Sequence, residues 1–140
     1  CTVWIAIDDA NTENGCLKLI PASHKREQLL AHETNPDPNL TLNQELLSSE
    51  FDESRSVDLV LEAGQISLHD VRMVHGSDAN ASPHPRRGMT LRYMPLTSVF
   101  DRKLAVAQSE NMGFKAHQDR TLFLMRGTDQ TGKNDFRLRW

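Results

Sequence analysis

Gln65-Ile66-Ser67-Leu68-His69, Val74-His75-Gly76-Ser77 and Arg86-Arg87-Gly88-Met89-Thr90-Leu91-Arg92-Tyr93-Met94 stand in that order, separated by two polar loops. In the first segment Ile66 and Leu68 fall on one side, Ser67 and His69 on the other. In the third, Met89, Leu91 and Tyr93 share one face, and Arg86, Gly88, Thr90 and Arg92 share the opposite one. Strict alternation marks β-strands with two unlike faces, because successive side chains leave a strand on opposite sides. Working outward, Val57–Leu61 alternates in the same way and Ala63-Gly64 turns the chain. Residues 2–7 (TVWIAI) are apolar on both faces, the pattern of a buried strand. The polar run from Asp8 ends in Asn14-Gly15, a strong hairpin signal, with Cys16–Ile20 as the expected return strand. Pro21 stops that strand, and Ser23 is expected to cap a short helical turn near Lys25–Leu30. Residues 32–55, with Pro36 and Pro38, read as a long excursion with one weak helix around Leu42–Leu47; residues 101–110 read as helical. Many short strands, Gly and Asn turns and no strand–helix–strand alternation predict an all-β sandwich or barrel.

Composition bounds the function classes. A chain of 140 residues makes one domain of ordinary size, and 38% apolar with 25% charged residues is globular usage. Sixteen basic against nineteen acidic residues, net −3, exclude a strongly basic nucleic-acid binder. No apolar run approaches the ~18–20 residues of a membrane span. Cys1 and Cys16 form neither a zinc spacing nor a disulfide framework, so a reducing, cytoplasmic setting is the default. The sequence opens inside an apolar strand with no preceding turn, so residues 1–140 are expected to be a single partial domain of a longer protein. Residues 24–55 would be its irregular insertion.

The chemistry-bearing residues cluster around the same strands. His75 follows one strand and precedes a Gly/Asn/Pro loop; Arg86 stands eleven residues later, on the polar face of the next strand. A neutral imidazole suits a divalent iron ion, and a guanidinium fork suits a carboxylate. The pair describes a metal-plus-anion pocket, although an ordinary loop histidine and a solvated arginine share this spacing.

Five blocks sharpen the reading: Trp4-Ile-Ala-Ile-Asp-Asp-Ala…Glu13-Asn-Gly-Cys-Leu, Ile20-Pro-Ala-Ser-His-Lys, Ala63-Gly-Gln-Ile-Ser-Leu-His69, His75-Gly-Ser…Asn80, and Pro85-Arg-Arg-Gly…Leu91-Arg-Tyr-Met. In this order they resemble the phytanoyl-CoA dioxygenase family of Fe(II)- and 2-oxoglutarate-dependent oxygenases. The tail from Met125-Arg-Gly-Thr-Asp is similar to bacterial members. The second block departs from the usual Pro-Gly-Ser-His by carrying Ala22. The resemblance implies a mainly β, double-stranded β-helix (a jelly-roll, cupin-like barrel), incomplete at its N-terminus. It implies that His75 is the distal iron ligand, that Arg86 binds the far carboxylate of 2-oxoglutarate with help from Ser77, and that Trp4 lines the co-substrate pocket. It implies Fe(II), 2-oxoglutarate and dioxygen as partners, and hydroxylation of a small-molecule C–H bond coupled to formation of succinate and carbon dioxide. The family's other two ligands, a His-x-Asp, lie upstream of the strand that begins here. Hydroxylase and halogenase members differ at that carboxylate, so this sequence does not choose between them. The competing reading is a cupin-like binding module that has lost its metal.

Other candidates carry less. His117-Gln118-Asp119 has the form of the missing motif but follows His75 instead of preceding it, and is read as an exposed loop. His69 and Asp70 are expected to line the pocket or orient a ligand. His24 is read as a structural turn residue, Arg87 and Arg92 as surface or ion-pair residues, with Arg87 the alternative to Arg86 if the strand register is shifted by one, and Cys16 as a small buried one; His32 has no argued role. With a single imidazole the chain alone is expected to hold Fe(II) poorly. An open sheet edge and exposed apolar surface are expected beside Val3 and Ile5.

Overall fold

The computed structural model describes residues 1–40, 43–112 and 119–136. The chain is mainly β and forms two compact units, one of residues 1–31 and 46–93, the other of residues 32–45 and 94–140.

The first unit is built from two three-stranded antiparallel sheets. One has the order β6 (Ile66–His69), β1 (Thr2–Ala6), β8 (Gly88–Arg92). The other has the order β5 (Val57–Leu59), β2 (Leu17–Leu19), β7 (His75–Ser77). Register decides the faces, because residues directly opposite in an antiparallel pair point the same way. Thr2 stands opposite His69 and Arg92, Trp4 opposite Ser67 and Thr90, and Ala6 opposite Gly88. This is the inner face, where Trp4, Ala6 and His69 are buried. Val3 stands opposite Leu68 and Leu91, and Ile5 opposite Ile66 and Met89. On that outer face Ile66, Leu68, Met89 and Leu91 are exposed. The exposed apolar surface expected beside Val3 and Ile5 is therefore present. The expected open edge there is not: β1 is the central strand, paired on both sides, and the sheet's edges are β6 and β8.

The core joins the two sheets. Trp4, Ala6, Ala10 and Cys16 form one buried cluster, with Leu17 and Leu61 packed against it. The Cys16 thiol is pushed up by burial and by the nearby Asp58 carboxylate.

Three local expectations are corrected. Asn14-Gly15 is not a hairpin turn, since β1 and β2 lie in different sheets. Buried Asn14 instead ties the crossing loop: its Nδ2 donates to Asp9 O at 2.7 Å, and its Oδ1 accepts from Asn11 N at 2.8 Å. Gly15 takes φ +74°, and a Cβ there would lie 2.5 Å from Asp78 O. Ser23 does not cap a helical turn with its side chain; only a 3₁₀ turn, Ser23–Lys25, forms there. The Ser23 hydroxyl accepts from Val74 N at 2.8 Å, pinning the start of β7. Around Leu42–Leu47 there is no helix among the described residues; Gln44–Leu46 is a strand, β4, paired with β3 (His32–Thr34).

In the second unit a helix, Arg102–Met112, begins where Asp101 Oδ1 accepts from Lys103 N and Leu104 N, both at 2.9 Å. Asn134 accepts from Phe100 N and donates to Ser98 O. Although burial opposes it, hydrogen bonds from Thr131 and Asn134 hold the Asp129 carboxyl down at about 2. No helix among the described residues is long and apolar enough to cross a membrane.

Candidate co-substrate and metal site

His75 and Ser77 are two residues apart on β7, so they share a face roughly 6.6 Å from each other along the strand. They stand opposite Leu19 and Leu17, the latter packed against the core. That places both on the side turned toward the first sheet.

Two groups of the first sheet reach them. At one end of β7 the His69 ring, from β6, lies 5.1 Å from the His75 ring, centroid to centroid, tilted by 48°. At the other end Arg86, just before β8, donates from Nη2 to Ser77 Oγ at 3.3 Å. Arg86 Nε is buried and has no hydrogen-bond partner. Buried donors are nearly always satisfied, so the guanidinium presents an N–H whose natural partner is an anion.

The neighbouring arginine is spent differently. Arg87 donates from Nε to Asp8 Oδ2 and from Nη2 to Asp8 Oδ1, both at 2.8 Å, and its backbone N–H also donates to Oδ2. This bidentate pair fixes the chain as it enters β8. It holds the Asp8 carboxyl at about 2, below the ordinary 3.8.

Trp4 is buried on the inner face of the first sheet. Its indole lies over Gly88, where a Cβ would overlap the ring. Ser67, opposite Trp4 in register, has a buried hydroxyl without a partner. Burial, the neighbouring His75 and the positive charge of the N-terminus and Arg92 push the His69 imidazole toward its neutral form.

The donor set fits one corner of a metal site. His75 Nδ1 donates to Met73 O at 2.7 Å, which leaves the Nε2 lone pair free in the neutral ring. Among the described residues no three His, Cys, Asp or Glu side chains gather around one point. Asp70 is engaged in a turn, accepting from Arg72 N at 2.9 Å and Arg72 Nε at 3.4 Å, and its carboxyl is lowered by those bonds. Of the alternative motif, Asp119 is exposed and His117 lies outside the described residues. His32 is exposed on β3, and His24 has a buried Nδ1 without a partner.

Sequence reasoning read Arg87 as a surface or ion-pair residue without naming Asp8 as its partner, and it did not find the Trp4–Gly88 contact or the orphaned Ser67 hydroxyl. Parity alone signalled Ser67, which alternates with Leu68 on the His69 side; the other two depend on cross-strand register.

The family model for phytanoyl-CoA dioxygenase (PhyH) matches residues 1–88. The chain belongs to the phytanoyl-CoA dioxygenase family. Among family relatives, the phytanoyl-CoA dioxygenase domain-containing protein 1 homolog of Caenorhabditis briggsae is 35% identical over 98 residues, 66% of this chain and 33% of that protein. The Rattus norvegicus protein of that name is 33% identical over 97 residues, 66% of this chain and 32% of its own length. The chain thus spans about a third of the curated relatives it matches. EvdO2 from Micromonospora carbonacea var. aurantiaca, solved with 2-oxoglutarate, superposes with a TM-score of 0.53 at 28% identity, covering 64% of this chain and 35% of that one. The non-heme monooxygenase ThoJ gives 0.51 at 29% identity, covering 64% and 30%. These neighbours agree with the expected fold class, an incomplete jelly-roll whose two sheets remain unclosed here.

Proposed function

We propose that this chain contributes the distal metal ligand and the co-substrate clamp of an Fe(II)- and 2-oxoglutarate-dependent oxygenase that hydroxylates a C–H bond of a small molecule. One observation carries the reading. A free imidazole nitrogen and an unpartnered guanidinium N–H meet the same face of β7, at its two ends. That span suits a 2-oxo diacid, which has a chelating group at one end and a carboxylate at the other. Family membership and the 2-oxoglutarate bound to EvdO2 support it.

His75 holds the ion through Nε2, with the ring orientation fixed by Met73 O. A His-x-Asp from the rest of the protein completes the ligand set, as the resemblance implies. Arg86 receives the far carboxylate, and Ser77, already bonded to Nη2, shares it. Trp4 lies against Gly88 and excludes water from the wall, which strengthens the ion pair in a lowered dielectric. Fe(II), when bound, supplies the dioxygen activation and electron transfer that side chains lack.

The test is 2-oxoglutarate binding to the chain with a divalent ion present, followed by NMR titration. Arg86→Gln is expected to weaken binding at least about tenfold, the scale of one charge-assisted hydrogen bond, whereas Arg87→Gln should leave it near the wild-type value. Equal losses in both variants, or none in Arg86→Gln, would refute the assignment.

A further inference from the structure

We propose that Arg92 forms a second anion site, at the His75 end of the inner face, that takes the carboxylate or phosphate group of an acidic small-molecule substrate. This rests on the reading of His75 as a metal ligand and of Arg86 as the co-substrate clamp, and it names the class of substrate they serve.

Register places the residue. Arg92 stands opposite Thr2 on β1, and Thr2 stands opposite His69 on β6, so the three form one row across the first sheet. Residues directly opposite in antiparallel pairs point to the same side, here the inner face. That row belongs to the His75 end, because the His69 ring lies 5.1 Å from that of His75. Arg86 precedes Arg92 by six residues and shares its parity, roughly 20 Å away along an extended chain. It is engaged at the other end of β7, with Ser77. A ligand held by Arg86 therefore leaves Arg92 to a second anionic group. Lys18, Arg72 and Arg87 are paired with Asp78, Asp70 and Asp8, whereas Arg92 has no acidic partner among the described residues. Asp70, next to His69 in sequence, is thus already committed to Arg72. Arg92 is exposed at the end of β8, open to an incoming molecule, and its charge is felt at His69. A divalent ion on His75 would add a second positive charge facing the same space. Like charges across a site repel, and an oxyanion between them offsets both. A guanidinium fork matches carboxylate and phosphate oxygens through two parallel N–H···O bonds. An apolar or cationic substrate leaves that repulsion uncompensated; an acidic one removes it.

The experiment is titration of the chain with acetate and with methyl phosphate, in the presence of zinc(II) and 2-oxoglutarate, followed by NMR of the arginine Nε–H groups. The Arg92 signal should shift saturably with both probes. Arg92→Gln should weaken methyl phosphate binding about fivefold or more, the size of a charge-assisted bond discounted for exposure, and leave 2-oxoglutarate binding near the wild-type value. Arg92→Lys keeps the charge without the fork and should recover part of the affinity. Arg86→Gln should weaken 2-oxoglutarate and leave methyl phosphate binding as in wild type. Arg126→Gln, which removes an exposed guanidinium elsewhere, should change neither. Circular dichroism of each variant checks that it folds.

If Arg92→Gln binds methyl phosphate as the wild type does, or the wild type does not bind it, the second anion site is wrong. If Arg92→Gln weakens 2-oxoglutarate as much as Arg86→Gln does, Arg92 holds the co-substrate; the substrate assignment then falls while the functional reading stands. If Arg86→Gln leaves 2-oxoglutarate binding unchanged while Arg92→Gln loses methyl phosphate, the clamp reading fails and the Arg92 site stands on its own.

Discussion

Replacing Gly88 by alanine sets two physical effects against each other. Local propensity favours the change: glycine inside a strand is worse than alanine by roughly 0.5–1 kcal/mol, because the unfolded chain loses more freedom. Packing opposes it. An added Cβ would overlap indole atoms Cε2 and Cζ2 of Trp4 and lie 2.6 Å from Nε1. That is about 1 Å inside the ~3.5 Å at which such atoms normally touch. Trp4 is itself buried in the core cluster with Ala6, Ala10 and Cys16, so the ring has little room to retreat. Overpacking of this kind costs ~1–3 kcal/mol. Steric cost exceeds the propensity gain, and Gly88→Ala should destabilise the chain by about 1–2 kcal/mol net, lowering Tm by roughly 4–8 °C for a chain of this size. Urea denaturation and thermal melting followed by circular dichroism measure it. The cause is separable by a double-mutant cycle: in a Trp4→Leu background the Gly88→Ala penalty should vanish or reverse, giving a coupling of about 1 kcal/mol or more. A Gly88→Ala protein at least as stable as the wild type, or an equal penalty with the indole absent, would refute the argument.

Ala22→Gly should stabilise the chain by about 0.5–1 kcal/mol, because Ala22 is held at φ 64°, a left-handed conformation costing an L-residue ~1–2 kcal/mol. Urea midpoints with an unchanged slope check it. Asp8→Asn should flatten the acid limb of the stability profile. Asp8 has its folded pKa lowered to about 2 by Arg87, so its contribution is complete above the unfolded value near 3.8 and is lost as pH falls through about 2. Stability measured from pH 5 to pH 2 should therefore fall less steeply in Asp8→Asn than in wild type.

The alternation of Ile66–His69 and of Gly88–Arg92 determined by itself that these are strands and which side chains share a face, because a strand's period of two is local. The same local logic gave Arg86 a parity distinct from that of Arg87, but it read His75 as following a strand, whereas His75–Ser77 is itself a strand, so that His75 and Ser77 share a face. It failed at Asn14-Gly15, where a favourable turn pair lies in a loop between sheets; turn propensity says nothing about which strand the chain joins next. It failed at residues 44–46, where β3–β4 pairing overrides a weak helical tendency. Only tertiary structure decided that β1 is a central strand, that Trp4 occupies the space a side chain at position 88 would need, and that Arg87 is consumed by Asp8 while Arg86 keeps an unpartnered N–H. It also brought His69 against His75. Except for His69 and His75, which are near in the chain but on different sheets, these are contacts between residues far apart in sequence, fixed by register and by two sheets meeting through their inner faces, and no short-range pattern encodes them.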